Sequence, residues 1–146
     1  MNEARAVTGV QPKAPNQSPL TCRLRPKEVI GRRGPIPNMG EVELENGSAV
    51  PLEIEYLMTP LQFLELDVIG PGGQIVSEGH FSDRFSPTEK PAVLRLMPGE
   101  KFTANVPLLS TFPPEKRQPG RYTVQASYCF QGRRIMAEPL SVELIR

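Results

Sequence analysis

Residues 120–128, Gly120-Arg121-Tyr122-Thr123-Val124-Gln125-Ala126-Ser127-Tyr128, decide the fold class. Tyr122, Val124, Ala126 and Tyr128 fall on one side of an extended chain, and Arg121, Thr123, Gln125 and Ser127 on the other. A period of two is the signature of a strand with one dry and one wet face; a helix would scatter these residues around its axis.

The same pattern recurs outward in both directions. Toward the C-terminus, Gln131-Gly132 is a hairpin tip, and a last strand runs to Ile145 with a bulge near Pro139. Toward the N-terminus, residues 110–120 form a long loop. Before it, Phe102, Ala104 and Val106 share a face, and Leu94 and Leu96 open a strand that Pro98-Gly99-Glu100 turns. Residues 77–91 are the longest polar stretch. Earlier still, Leu64, Leu66 and Val68 alternate with Glu65 and Asp67, Pro71-Gly72-Gly73 turns the chain, and Gln74 to Val76 returns. Leu52, Ile54 and Tyr56 alternate with acids, as do Val42 and Leu44; Leu20, Cys22 and Leu24 alternate with Thr21, Arg23 and Arg25. Pro26 to Pro37 reads as a loop or a broken edge strand, because its prolines cannot donate to a ladder. With 17 Pro and 12 Gly among 146 residues, long helices are excluded, since proline removes a backbone donor and clashes with the preceding turn. The expected fold is all-β, an immunoglobulin-like antiparallel β-sandwich of seven to nine strands over residues 20–146. Residues 1–19, polar and without periodicity, read as a flexible arm.

Tyr122 opens a late strand after a glycine-containing corner, two residues before a core position. That is the placement of the tyrosine corner of immunoglobulin-like sandwiches, whose phenol bonds back to the preceding loop. Position 124 is Val and the chain has no Trp, so the pattern looks like the fibronectin-III or bacterial immunoglobulin-like group, not an antibody domain. Four segments in order carry a nearer likeness: Leu44-Glu45-Asn46-Gly47-Ser48-Ala49-Val50-Pro51-Leu52, Leu66-Asp67-Val68-Ile69-Gly70-Pro71-Gly72-Gly73, Leu96-Met97-Pro98-Gly99-Glu100 and Pro119-Gly120-Arg121-Tyr122-Thr123-Val124. This succession, over about residues 42–128, resembles the bacterial intracellular proteinase inhibitor family. The resemblance implies a small immunoglobulin-like sandwich and brings proteinase inhibition forward as an alternative function; it assigns no residue.

The net charge of +1 conceals three blocks. Residues 35–83 hold nine acids and no Lys or Arg, whereas bases dominate both flanks. Because the acids alternate with apolar residues, they belong to a sheet face and not to an acidic tail. With the first, second and fifth strands in one sheet, Arg23 and Arg25 would flank Glu41, Glu43 and Glu45, with Arg95 or Lys101 beyond. Opposite charges across strands then set the register. The overall balance gives no footprint for nucleic acid, and no segment approaches the ~18 apolar residues of a membrane span. With Met1 as the native start, the lack of an apolar secretory segment implies a cytoplasmic protein. Cys22 and Cys129 then read as buried or half-buried thiols, not a disulfide. The sequons at Asn16 and Asn46 matter only in a secreted chain.

Chemistry finds little purchase. His80, Ser82 and Asp83 are neighbours on one polar loop, where a triad cannot converge. One His, two distant Cys and five scattered Met offer no metal-ligand spacing. Gly70-Pro71-Gly72-Gly73 is not a phosphate loop, and the doublets Arg32-Arg33 and Arg133-Arg134 have no aromatic interleaving for nucleic acid. No enzyme activity and no cofactor are expected. Loops carry recognition in sandwich domains. His80, Phe81, Arg84 and Phe85 combine the aromatic and Arg residues that dominate interfaces, and Phe112, Lys116 and Arg117 sit on a loop stiffened by proline. Each Phe has the alternative of plugging an open end of the sandwich. The expected function is non-enzymatic binding of a protein partner through these loops or an edge strand, with self-association through an edge as one form. A proteinase inhibitor offering Lys116 or Arg117 is the alternative. A carbohydrate- or ligand-binding accessory domain ranks last, for want of exposed aromatic platforms.

Overall fold

In the computed structural model, which describes residues 18–57, 59–80, 90–109 and 111–145, twelve strands follow one another. They are β1 (Leu20–Pro26), β2 (Val29–Gly31), β3 (Gly34–Ile36), β4 (Met39–Asn46), β5 (Leu52–Tyr56), β6 (Leu64–Ile69), β7 (Ile75–His80), β8 (Ala92–Leu96), β9 (Lys101–Pro107), β10 (Gly120–Phe130), β11 (Arg133–Met136) and β12 (Leu140–Leu144). The only helical pieces among the described residues are short 3-10 turns at Pro60–Phe63 and Pro114–Lys116. The chain is thus nearly all β, and every pairing among the described strands is antiparallel.

The count exceeds the expected seven to nine for two local reasons. The segment Pro26 to Pro37, expected as a loop or a broken edge strand, contains the β2–β3 ribbon, with Pro35 in its short return strand. The last strand is divided at Ala137–Pro139 into β11 and β12, because a proline cannot continue the ladder. Gln125 fills the break by donating from Nε2 to the Ala137 carbonyl at 2.7 Å.

Strand β10 is the hub of the larger sheet. One edge pairs with β6 from Thr123 to Tyr128; the other takes β12 over Gly120–Val124 and then β11 over Ser127–Phe130. β7 pairs with the far side of β6. A second sheet runs β1-β4-β9, and β5 pairs with β8. Leu20, Cys22, Val42 and Leu44 of the second sheet are buried in one hydrophobic cluster with Leu64, Leu66, Val68, Val124, Ala126 and Tyr128 of the first. The alternation on β10 therefore turns Cys129 outward. That thiol is exposed, a correction to its expected burial that follows from its odd parity on the strand. Cys22 is buried, and desolvation pushes its thiol up to about 12.

The acidic face of β4 is neutralised from both sides. Arg23 stands opposite Glu43 and Arg25 opposite Glu41 in the register. Glu43 meets Arg25 at 2.8 Å, Arg23 at 3.3 Å and Lys101 at 4.0 Å. Lys27 reaches Glu41 at 3.6 Å. A one-residue slip of β1 would turn Leu20, Cys22 and Leu24 out of the core and set the acids of β4 against apolar neighbours. The charge ladder and the hydrophobic alternation therefore specify the same register. Arg95 lies elsewhere, on β8, opposite Glu53 at 3.4 Å.

Candidate functional site

The loop between β9 and β10 is held from within. Gly120 has φ +148, and a Cβ there would sit 2.9 Å from Pro71, so the corner needs a residue without a side chain. Two residues on, Tyr122 Oη donates to the Gln118 carbonyl at 2.9 Å and accepts from the Gln118 N–H at 3.1 Å. The phenol thereby closes a four-residue loop onto the strand that follows it.

Phe112 is only 4% exposed. Its ring lies 5.5 Å from that of Tyr122 at a tilt of 53°. Arg117 wraps the same ring, with its guanidinium carbon 5.9 Å from the centroid. It donates to the Phe112 carbonyl at 2.9 Å and to the Leu109 carbonyl at 2.8 Å. Both side chains therefore have partners inside the loop. Phe112 fills the end of the core, because its ring has more to gain from burial against Tyr122 than from water, and Arg117 satisfies carbonyls that a loop would otherwise leave open.

Lys116 is exposed. It lines a groove of about 560 Å³ together with Phe112, Tyr122, Pro71, Gln74 and Val76. A 2.6 Å bond between Ser77 Oγ and Thr111 Oγ1 ties the loop to β7.

His80 ends β7 opposite Glu65, four residues along the strand from Val76 and the groove, or roughly 13 Å at the usual strand rise. Phe81, Arg84 and Phe85, with Ser82 and Asp83, lie outside the described residues. No group of three or more His, Cys, Asp or Glu able to hold a metal occurs among the described residues, and none of their helices is long and apolar enough to cross a membrane. Arg134 of the second basic doublet pairs with Glu65 at 2.5 Å.

The feature that strand reading alone did not reveal is the outer edge of β9. At the two ends of the β4–β9 ladder, Asn46 N–H donates to the Glu100 carbonyl at 3.0 Å and Leu108 N–H to the Asn38 carbonyl at 2.9 Å. Both pairs are even-numbered, and antiparallel pairs alternate. The even residues of β9 thus bond to β4, while Lys101, Thr103 and Asn105 aim N–H and C=O away from it. No described strand takes them up. Pro107 has the same parity but no donor, and marks the end of the open stretch. The free run is short, regular and flanked by a cation and a proline, the devices by which edges limit indiscriminate pairing. Its signal in the sequence is the parity of Pro107 relative to Lys101, which has meaning only once the neighbour of the strand is known.

Compared with known proteins, this chain matches no protein-family model and no curated protein.

Proposed function

We propose that the chain is a non-enzymatic protein-binding domain, an immunoglobulin-like sandwich that takes an extended segment of its partner along the outer edge of β9. The observation that supports this reading is the row of backbone groups on Lys101, Thr103 and Asn105 that no described strand pairs with. Main-chain hydrogen bonds give such an edge affinity for another strand, and side chains on alternate faces give it specificity. The joint core of the two sheets and the Tyr122 bond to Gln118 support the sandwich architecture.

The test is affinity capture from the source organism with the intact chain and with Thr103→Pro, followed by amide exchange on the complex. A partner recovered by the intact chain is lost with Thr103→Pro, and its binding slows exchange at Thr103 and Asn105 but leaves Ala104 and Val106 unchanged. Equal recovery with the proline variant, or protection confined to the 110–119 loop, overturns the edge reading.

Proteinase inhibition has Lys116 as its one exposed candidate. Against it stands the local backbone: Pro114–Lys116 is a 3-10 turn closed by Lys116 N–H on the Pro113 carbonyl at 3.0 Å, not the extended segment a protease cleft pairs with. Titration of trypsin-like serine proteases with micromolar protein, and with Lys116→Ala, decides it. The carbohydrate reading has less support still, since the rings of Tyr122 and Tyr128 are buried.

A further inference from the structure

Asn46 is fully buried, and every hydrogen-bonding position of its amide is occupied. Nδ2 donates to the Val50 carbonyl at 2.8 Å and to the Leu96 carbonyl at 2.9 Å. Oδ1 accepts from Ser48 N–H at 2.9 Å and from Ser48 Oγ at 2.7 Å. A primary amide has two donors and two acceptor lone pairs, so nothing is left over. One side chain thus ties the end of β4 to the end of β8 and to the approach to β5. The next residue is glycine, whose N–H donates to the Pro19 carbonyl at 2.9 Å.

We propose that Asn46-Gly47 is a covalent modification site that the folded state closes and unfolding opens, so that excursions to the unfolded state are recorded irreversibly as deamidation. In an open chain the Gly47 backbone nitrogen, having lost its proton, attacks Asn46 Cγ. The new C–N bond closes a succinimide, and Nδ2 takes up a proton and leaves as ammonia. Water then opens the ring at one of its two carbonyls and yields aspartate or the isoaspartyl linkage. Glycine favours the attack because no side chain hinders the incoming nitrogen. Asn46 is the one asparagine of the chain followed by glycine; Asn2, Asn16, Asn38 and Asn105 precede Glu, Gln, Met and Val.

The folded state blocks each step. Cγ is clamped by four bonds, the nucleophilic nitrogen is engaged with Pro19, and water is excluded from the side chain. The same burial closes the Asn46-Gly47-Ser48 sequon to a glycosyltransferase acting on the folded chain, because Nδ2 would have to give up both carbonyls. The product cannot return to the native site. A carboxylate at position 46 has no proton to offer the buried Leu96 carbonyl, which would face an anion as an orphaned acceptor, whereas the Val50 carbonyl, on an exposed residue, still has Ser48 Oγ at 2.9 Å.

The experiment ages the full chain in mildly alkaline buffer with and without denaturing urea, and reads each asparagine by peptide mass spectrometry. In urea, Asn46 converts ahead of Asn38 and Asn105; in native buffer it stays intact. The aged, denatured sample is then refolded, and the folded fraction contains only unmodified Asn46. Equal conversion in native and denatured samples, or no preference for Asn46 in urea, overturns the proposal. So does recovery of folded chains carrying the acid at position 46. Gly47→Ala slows the conversion in urea, a readout that does not require the variant to fold.

Discussion

Glu43 and Asn46 lie three residues apart on β4, and both polar groups are almost without solvent contact, 5% and 0% exposed. Their partners differ. Glu43 is covered by Arg23, Arg25 and Lys101, whose side chains are 59%, 49% and 50% exposed. Asn46 is covered by the buried Leu96 carbonyl, by the carbonyl of the exposed Val50 and by Ser48. If Glu43 is removed, its partners turn to water. If Asn46 is removed, the Leu96 carbonyl has nowhere to turn. Burial of a polar group is therefore a poor guide to what it contributes; the solvent access of the groups it would abandon is the better one.

The largest effect that follows is at Asn46. Asn46→Asp leaves the backbone path and the Ser48 bonds to Oδ1 intact, yet sets a buried carboxylate oxygen against the buried Leu96 carbonyl. It lowers stability by about 3–5 kcal/mol, the usual cost of an uncompensated buried charge, as read from urea unfolding. A loss under about 1 kcal/mol would mean that water reaches the site and that Asn46 belongs with Glu43.

The backbone of β9 offers the same contrast without any side-chain chemistry. Ala104 N–H is spent on β4, while Thr103 N–H faces outward, as the parity of the ladder requires. Ala104→Pro removes a ladder bond and orphans the Val42 carbonyl, for a loss of about 1–3 kcal/mol or more. Thr103→Pro gives up a bond to water and changes stability by about 0.5 kcal/mol or less. Thermal melts of the two variants read the difference. Equal losses would show that the outer edge of β9 is already paired in the protein, and would remove the surface on which the binding proposal rests.

Tyr122 falls between the extremes. Its hydroxyl bonds to one residue, Gln118, which is exposed, while its ring stays packed on Phe112. Tyr122→Phe keeps the ring and frees Gln118 to meet water, for a loss of about 0.5–1.5 kcal/mol. A larger loss would show that the loop opens when the bond goes.

What was legible in the sequence divides along the same line. Period-two alternation places Val124, Ala126 and Tyr128 in the core, and the Gly120-Arg121-Tyr122 segment reads as a corner, because both patterns are local and each strand carries its own. The pairing of β1 with β4 agrees with the charges, since Arg23 and Arg25 have the spacing of Glu41 and Glu43, whereas the strand beyond β4 is open between the one with Arg95 and the one with Lys101, and charge alone does not choose β9. Groups whose partners no local pattern identifies are illegible. Asn46-Gly47 reads as an ordinary turn dipeptide, and nothing near it announces the Leu96 carbonyl fifty residues away. Phe112 and Arg117 look like residues for display because their mutual contact, and the Tyr122 ring beneath them, exist only once the loop has closed. The open edge of β9 is illegible for a related reason: an edge is defined by the neighbour a strand lacks.

The smallest effect is at Glu43, and it is the sharpest test of the comparison because burial alone would rank it high. Glu43→Gln keeps the shape and one acceptor oxygen for Arg25, removes the charge, and leaves three cations that already stand half in water. The loss is about 1 kcal/mol or less at low salt, and it shrinks further as salt screens the pairs that the wild-type strand retains. Urea unfolding of both proteins at low and high salt reads this directly. A loss of several kcal/mol that ignores salt would place Glu43 beside Asn46. The access of abandoned partners to water would then no longer separate the two, and the charge ladder of β1 and β4 would rank as a foundation of the fold, beyond its part in setting register.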